Sequence, residues 1–134
     1  MFSVHAIIEA TQGRLLQGPG KGVVRGVSID SRHVKKGEVF IAVKGDIFDG
    51  HDFINEVIAR GVRTVVVHRL IKINNDKVNV ICVNNTTRAL GDVARCHRLR
   101  FKAPVIAVTG SAGKTTTKEM IAAVLARKYN VLKN

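Results

Sequence analysis

Hydrophobic positions along the chain change period several times, and each change marks an element. Val4, Ile7 and Ile8 recur at helical spacing, and Gly13 closes that short helix before Arg14 to Gln17. Gly18, Pro19, Gly20 and Gly22 then mark a turn. Val23, Val24, Val27 and Ile29 predict a strand leading into Asp30, Ser31 and Arg32, and Val39 to Val43 is a second compact apolar strand. After a loop from Gly45 to Gly50, Phe53, Ile54, Val57 and Ile58 have helical period, with Asp52 placed to accept a backbone hydrogen bond at the helix start and Gly61 available to end it. Thr64 to His68 reads as a strand, Ile71 to Lys77 as a polar, Asn-rich loop, and Val78 to Val83 as a return to the sheet. Thr86 to Arg100 is again helical, with Ala89, Leu90, Val93 and Ala94 on its apolar face and its arginines mostly turned to water. Strands alternating with helices predict an α/β fold.

Lys102, Ala103 and Pro104 form a junction, because proline biases its predecessor away from helix and a new apolar run starts at Val105. Residues 1–103 are therefore expected to be one unit and residues 104–134 the start of another. Val105 to Thr109 predicts a strand, Lys114 to Lys128 a helix striped by Met120, Ile121, Val124 and Leu125, and Val131 and Leu132 the opening of a further strand. One strand and one helix cannot close a core, since a buried parallel strand needs neighbours on both sides. The expectation is a second domain that is truncated in this sequence.

Composition narrows the class. With hydrophobic residues at 46% the chain can bury one ordinary core, yet its longest apolar runs are far too short to span a bilayer and no signal segment opens it. A soluble, cytoplasmic, monomeric protein is expected. Cys82 lies in a strand-like run and Cys96 in a helix-like run, without the spacing of a zinc site, so both read as reduced packing residues. The formal charge of +12 would attract a polyanion, either a nucleic acid or a nucleotide. Positive residues are spread from Arg14 to Lys133, and one Tyr, five Phe and no Trp give little to stack on bases, which weakens the nucleic-acid alternative.

The chemistry is concentrated in Thr109-Gly110-Ser111-Ala112-Gly113-Lys114-Thr115-Thr116, which follows an apolar run and opens a helix. That is the setting a phosphate-cradling loop requires. Gly110 and Gly113 remove side chains so that backbone N–H groups can turn toward phosphate oxygens, Lys114 can bridge terminal phosphates, Thr115 offers a hydroxyl to Mg²⁺, and Thr116 is placed to help bind phosphate. Val108 stands where the commoner, longer pattern has its first glycine, so this is a shorter variant. The alternative is a Gly-rich turn capped by a threonine.

The stretch Thr109 to Leu125, TGSAGKTTTKEMIAAVL, resembles the ATP loop and following helix of the Mur ligases, and Lys118-Glu119-Met120 is most similar to the branch that adds D-alanyl-D-alanine. Asp30-Ser31-Arg32, then Gly37 to Gly45, then Asp49-Gly50-His51-Asp52-Phe53-Ile54, resembles the first domain of the same family in order and spacing. The resemblance implies a small N-terminal α/β domain, residues 1–103, that holds the UDP end of a UDP-N-acetylmuramoyl-peptide, and a central domain, started by residues 104–134, that holds ATP and Mg²⁺. It implies that Gly110, Ser111, Ala112, Gly113, Lys114, Thr115 and Thr116 bind ATP, that Lys114 stabilises charge on the transferring phosphoryl group, and that Thr115 helps hold the metal. Ile29, Ser31, Arg32, Asp46, Ile47 and Phe48 match positions that approach the UDP moiety.

On their own these last residues keep ordinary structural readings. Asp30 and Ser31 suit the capping of a turn, Phe48 the packing of a core, Asp49-Gly50 a turn, and Arg32 a pairing with Asp30 or Asp49 as well as with diphosphate. His51 reads as a helix-start residue, and His5, His33, His68 and His97 have no sequence neighbours that suggest catalysis. The family further implies a second metal-binding acid, a carbamylated lysine, a nearby histidine and an amine-binding domain for D-alanyl-D-alanine, none of them in this sequence. By itself the chain is expected not to catalyse.

Overall fold

The computed structural model describes residues 1–134 and separates them into two units, Met1–Phe101 and Lys102–Asn134. The division falls two residues before the junction expected at Pro104. In chain order the first unit contains β1 (Phe2–Ser3), α1 (Val4–Thr11), β2 (Arg14–Gln17), β3 (Val23–Val24), β4 (Gly26–Ser28) and β5 (Glu38–Ile41). A 3-10 turn (Gly50–Phe53) runs directly into α2 (Ile54–Ala59), followed by β6 (Thr64–Val67), β7 (Asn79–Cys82) and α3 (Thr86–Arg98). The second unit contains α4 (Lys114–Leu125). No helix is long and apolar enough to cross a membrane.

Five strands form one sheet in the order β2-β7-β6-β5-β4, in which β4, β5, β6 and β7 are mutually parallel and β2 joins β7 antiparallel at one edge. The side-chain period of two splits the sheet between two cores. Val39, Ile41, Val66 and Ile81 face Val4 and Ile7 of α1 and Ala89 and Val93 of α3. Phe40, Ala42, Val65, Val67 and Val80 face the other way, toward Ile54 and Val57 of α2 and toward Val62. Because both faces are covered, β5 and β6 read in sequence as unbroken apolar runs rather than as alternation. Each fully buried valine, isoleucine or phenylalanine contributes about 1.5–3 kcal/mol of transfer free energy. Cys82 and Cys96 are half-buried free thiols that pack against these cores.

Local chemistry sets the helix ends. The Ser3 hydroxyl accepts the Ala6 N–H at 3.1 Å to start α1, and the Asn85 side chain accepts the Arg88 N–H at 2.8 Å to start α3. Arg95, His97 and Arg98 occupy the last turn of α3, where cations favour the carbonyl end of the helix dipole. Gly61, at φ +93°, ends α2 as expected.

Several expectations require correction. The single strand over 23–29 is two strands, because Arg25 donates its N–H to the Gly37 carbonyl at 2.8 Å and the chain changes partner there: β3 pairs antiparallel with β1, and β4 pairs parallel with β5. Arg14–Gln17, left unassigned by its pattern, is an edge strand with Leu15 and Leu16 half-buried. The cap before α2 is Asp49, not Asp52, because the 3-10 turn begins the helical path earlier and Asp49 accepts the His51 N–H at 2.9 Å. Val105–Thr109 is not a strand: it enters neither sheet, and Val105 and Ile106 are exposed. Val131 and Leu132 likewise have no regular structure, and α4 ends at Leu125 rather than Lys128. Met120 and Val124 of its apolar stripe are exposed, while Ile121 and Leu125 are half-buried.

Two outcomes follow from this architecture. A chain ending at Ala103 retains both cores, so it is expected to unfold in one cooperative transition in urea, and a broad, non-cooperative loss of circular dichroism would contradict the boundary. Gly18 has φ +95°, and a Cβ there would lie 2.4 Å from the Val78 carbonyl oxygen. Gly18→Ala is therefore expected to destabilise the first unit by roughly 2 kcal/mol or more in the same measurement.

Candidate functional site

The phosphate-loop candidate sits at the start of α4. Gly113 has φ +74° and ψ 0°, a left-handed conformation that glycine adopts without strain, and its carbonyl accepts the Thr117 N–H at 2.9 Å as the first helical bond. No side chain caps this helix, so the N–H groups of Lys114, Thr115 and Thr116 are left available as donors. Gly110, at φ +153°, opens the loop, and the Lys114 ammonium folds back to donate to the Gly110 carbonyl. All residues from Thr109 to Thr117 are exposed. Sequence-expected residues Gly110 through Thr116 thus lie together, with donors and a cation gathered at a helix amino end, an arrangement complementary to an anion.

The second candidate lies at the carboxyl edge of the sheet. Parallel pairing aligns Ser28 with Phe40, Ile41 with Val66, and Val67 with Cys82, so the segments leaving β4, β5, β6 and β7 all emerge along one edge. In open parallel sheets this edge is where ligands bind. It places residues 29–32, which follow β4, beside residues 42–50, which follow β5.

Within the first segment, the Asp30 carboxylate accepts the Arg32 backbone N–H at 2.9 Å, the Arg32 Nε and Nη2 at 3.0 Å each, and lies 3.0 Å from His33 Nδ1. Hydrogen bonding to Arg32, then to His33, holds the Asp30 carboxyl well below the usual carboxylate range, and Asp30 in turn raises Arg32. The open alternatives for Arg32 resolve toward Asp30 rather than Asp49. Ser31 is buried beside it and Ile29 is exposed.

In the second segment, Lys44 and Asp49 form an antiparallel bridge, the Gly45 N–H donates to the Phe48 carbonyl at 2.9 Å, and the Gly50 N–H donates to Val43 at 2.9 Å. Gly50 is required by close approach, since a Cβ would meet the Val43 carbonyl oxygen at 2.9 Å. The resulting tip displays Asp46, Ile47 and Phe48, with Ile47 85% and Phe48 69% exposed. Phe48 does not enter the core. Its ring meets Phe53 edge-on at 6.4 Å.

Beneath this tip lies a polar cluster that the linear sequence did not reveal. His51 is buried, with Nδ1 2.5 Å from Asp49 Oδ1, and its Nε2 accepts the His68 backbone N–H at 3.1 Å. The His51 and His68 rings meet edge-on at 4.3 Å, and Thr86 Oγ1 is 3.4 Å from His68 Nδ1. Arg69 reaches Asp52 at 3.1 Å and Asp49 at 3.7 Å. Burial holds His51 below its usual value, against the opposing pull of Asp49. Burial also tends to raise Asp49, but hydrogen bonds from the His51 backbone and ring, with the charge of Arg69, leave it lowered. The only sequence signal was Asp49-Gly50-His51 at a loop exit; His68 ends the neighbouring strand and becomes visible only through the β5–β6 pairing.

Comparison with known proteins covers both segments. A model described as "Mur ligase family, catalytic domain" matches residues 23–98, and one described as "Mur ligase middle domain" matches residues 108–134. The UDP-N-acetylmuramoyl-tripeptide--D-alanyl-D-alanine ligase of Bacillus subtilis is 40% identical over 132 residues, covering 98% of this chain and 29% of that protein. The UDP-N-acetylmuramoyl-L-alanyl-D-glutamate--2,6-diaminopimelate ligase of Aquifex aeolicus is 44% identical over 106 residues, 76% of this chain and 21% of that protein. Among solved structures, MurF from Acinetobacter baumannii superposes with a TM-score of 0.83 at 36% identity over 95% of this chain and 28% of its own. MurF from Thermotoga maritima in complex with ADP gives 0.73 at 38% identity over 81% and 25%. The chain spans about a quarter of the length of the curated relatives it matches. With one family model covering residues 23–98, more than half of the sequence, and the fold shared with these structures, the chain belongs to the Mur ligase family.

Proposed function

We propose that this chain carries two substrate-binding elements of an ATP-dependent ligase that joins D-alanyl-D-alanine to a UDP-N-acetylmuramoyl-tripeptide in peptidoglycan synthesis. Residues 1–103 serve as the UDP-substrate domain and residues 104–134 belong to the ATP-binding domain. The observation that carries this reading is the uncapped amino end of α4 behind the left-handed Gly113, with Lys114 folded over the loop. That shape fits a polyphosphate. The name of the Bacillus relative and the ADP held in the Thermotoga complex support the same chemistry.

In this reaction the γ-phosphoryl group of ATP passes to the terminal carboxylate of the tripeptide, giving an acyl phosphate. The amine of D-alanyl-D-alanine then attacks the acyl carbon, an amide forms, and ADP and phosphate leave. The backbone donors of Lys114 to Thr116 would hold phosphate oxygens, and Lys114 would exchange the Gly110 carbonyl for the charge that develops on the transferring group. Thr115 would supply a hydroxyl to Mg²⁺, which neutralises phosphate charge when bound. The reading places the enzyme in the cytoplasm, where ATP and nucleotide-linked sugars are available.

The Aquifex relative supports a second reading, a sister ligase with a different amine. Offering the whole enzyme D-alanyl-D-alanine or 2,6-diaminopimelate, each with its matching UDP-linked acceptor, distinguishes the two by which pair releases phosphate.

Lys114→Ala in the whole enzyme is expected to lower turnover by about 10²–10³ while leaving affinity for the UDP-linked substrate nearly unchanged. Activity within roughly threefold of wild type would make the loop merely structural. Titration of the chain with UDP-N-acetylmuramoyl-tripeptide is expected to shift the backbone amides of residues 29–32 and 46–48. Shifts confined to Thr86–Arg98 would contradict the assignment.

A further inference from the structure

His51 is the most deeply enclosed titratable group in the chain, and both of its ring nitrogens are committed. Nε2 lies 3.1 Å from the His68 backbone nitrogen, which carries a hydrogen and can only donate, so Nε2 must accept and be unprotonated. The ring proton therefore resides on Nδ1 and points to the Asp49 carboxylate 2.5 Å away. The Asp49 carboxylate in turn accepts the His51 backbone N–H, and the Asp49 backbone forms the β-bridge to Lys44 at the base of the exposed tip. One imidazole thus links the loop leaving β5 to the end of β6.

We propose that His51 is a positioning residue for the Asp46-Ile47-Phe48 tip, clamped between Asp49 and the His68 backbone N–H, and that the clamp holds only in the neutral, Nδ1-protonated form. A second ring proton would occupy Nε2 and face the His68 N–H donor, so the link to β6 would open. The other groups facing the ring set the direction. Asp49 favours the charged ring, whereas Arg69, the neighbouring His68 ring and burial oppose it; Asp52 draws Arg69 partly away, and Thr86 is uncharged. Burial, the leading effect, keeps the folded-state value of His51 below the ordinary one of about 6.5. The sign follows: the clamp is intact above the unfolded value and is lost as pH falls through the lower, folded one.

The functional part of this inference rests on the reading of residues 46–48 as facing the UDP-linked substrate. His51→Gln supplies an uncharged amide whose oxygen can accept from His68 and whose NH₂ can donate to Asp49, so it mimics the clamp without titrating. Three measurements on the full chain from pH 8 to 5.5 decide the matter. Ring ¹⁵N shifts are expected to show Nδ1 protonated and Nε2 bare at pH 8. Protection factors of the His68, Gly45 and Gly50 amides are expected to fall about tenfold with acid in the wild type and to stay level in His51→Gln. Affinity for UDP-N-acetylmuramoyl-tripeptide, whose diphosphate diester does not titrate in this range, is expected to weaken about tenfold in the wild type and less than threefold in the variant. A proton found on Nε2 at pH 8, or identical protection profiles in the two proteins, would overturn the clamp. Identical affinity profiles with differing protection would overturn its functional role. Absence of UDP-substrate binding at every pH would instead defeat the proposed function, with ring shifts and protection still judging the clamp. Should His51→Gln fail to melt cooperatively, the wild-type ring shifts and protection profile still decide.

Discussion

Parallel pairing of β4 through β7 is the constraint on which the first unit depends. Because β5, β6 and β7 are buried on both faces, a one-residue slip would exchange Phe40 with Val39 and Val65 with Val66 between two cores of different shape, so register is strongly specified. That same register fixes which backbone ends share an edge. Ser28 lies beside Phe40 and Ile41 beside Val66, so the loops that follow are brought to one place by hydrophobic packing rather than by any contact among themselves. The candidate edge is thus a consequence of core formation. Polar contacts such as His51 to His68 refine its shape after the sheet has chosen the neighbours.

The second unit obeys a different economy of structure. Residues 104–113 lack a strand partner, and α4 is held by its own ladder and by tail contacts such as Lys118 to the Asn134 carbonyl and Lys133 to Glu119. Both are exposed polar contacts, which contribute little to stability in water. The Gly110–Thr116 loop nevertheless keeps its shape, because that shape is local: a left-handed Gly113, an uncapped first helical turn and a lysine four residues from the carbonyl it meets. A site built from consecutive residues can persist where a site assembled from several strands could not.

This difference explains what the sequence could disclose. The Gly110–Thr116 loop was legible residue by residue, since all its chemistry is contiguous and its helix begins where the pattern says. The helices over α1 and α3 and the runs of β5, β6 and β7 were legible because their periods are strong. The split at Arg25 was not, because it reflects a change of pairing partner that leaves the run of valines uninterrupted. Asp52 reads as a cap because it adjoins the apolar periodicity, whereas the intervening 3-10 turn has a tighter period and moves the cap back to Asp49. The partnership of His51 with His68 spans 17 positions and exists only through sheet topology.

Under the proposed function, the electrostatics of the carboxyl edge constrain how a nucleotide sugar would be held there. Arg32 is the natural counter-charge for a diphosphate, yet its guanidinium already makes two charge-assisted bonds with Asp30. Turning Arg32 to a phosphate would leave the Asp30 carboxylate with His33 and the Arg32 backbone N–H alone, and the exchange of one anion for another at an exposed arginine gains little in water. Asp49 and Arg69 are similarly engaged in the cluster around His51. Beyond these pairs the edge displays the Lys44 and Asp46 side chains, which join no ion pair, and the exposed apolar groups Ile29 at 53%, Ile47 at 85% and Phe48 at 69% exposure. Exposed hydrophobic side chains on a loop pinned at its base gain free energy by covering a flat ring, and they do so without first breaking an ion pair. Under the proposed function these apolar groups would cover the base and sugar, Lys44 would be the unpaired cation nearest the phosphates, and Arg32 would act chiefly by keeping the Asp30 turn closed beside the buried Ser31.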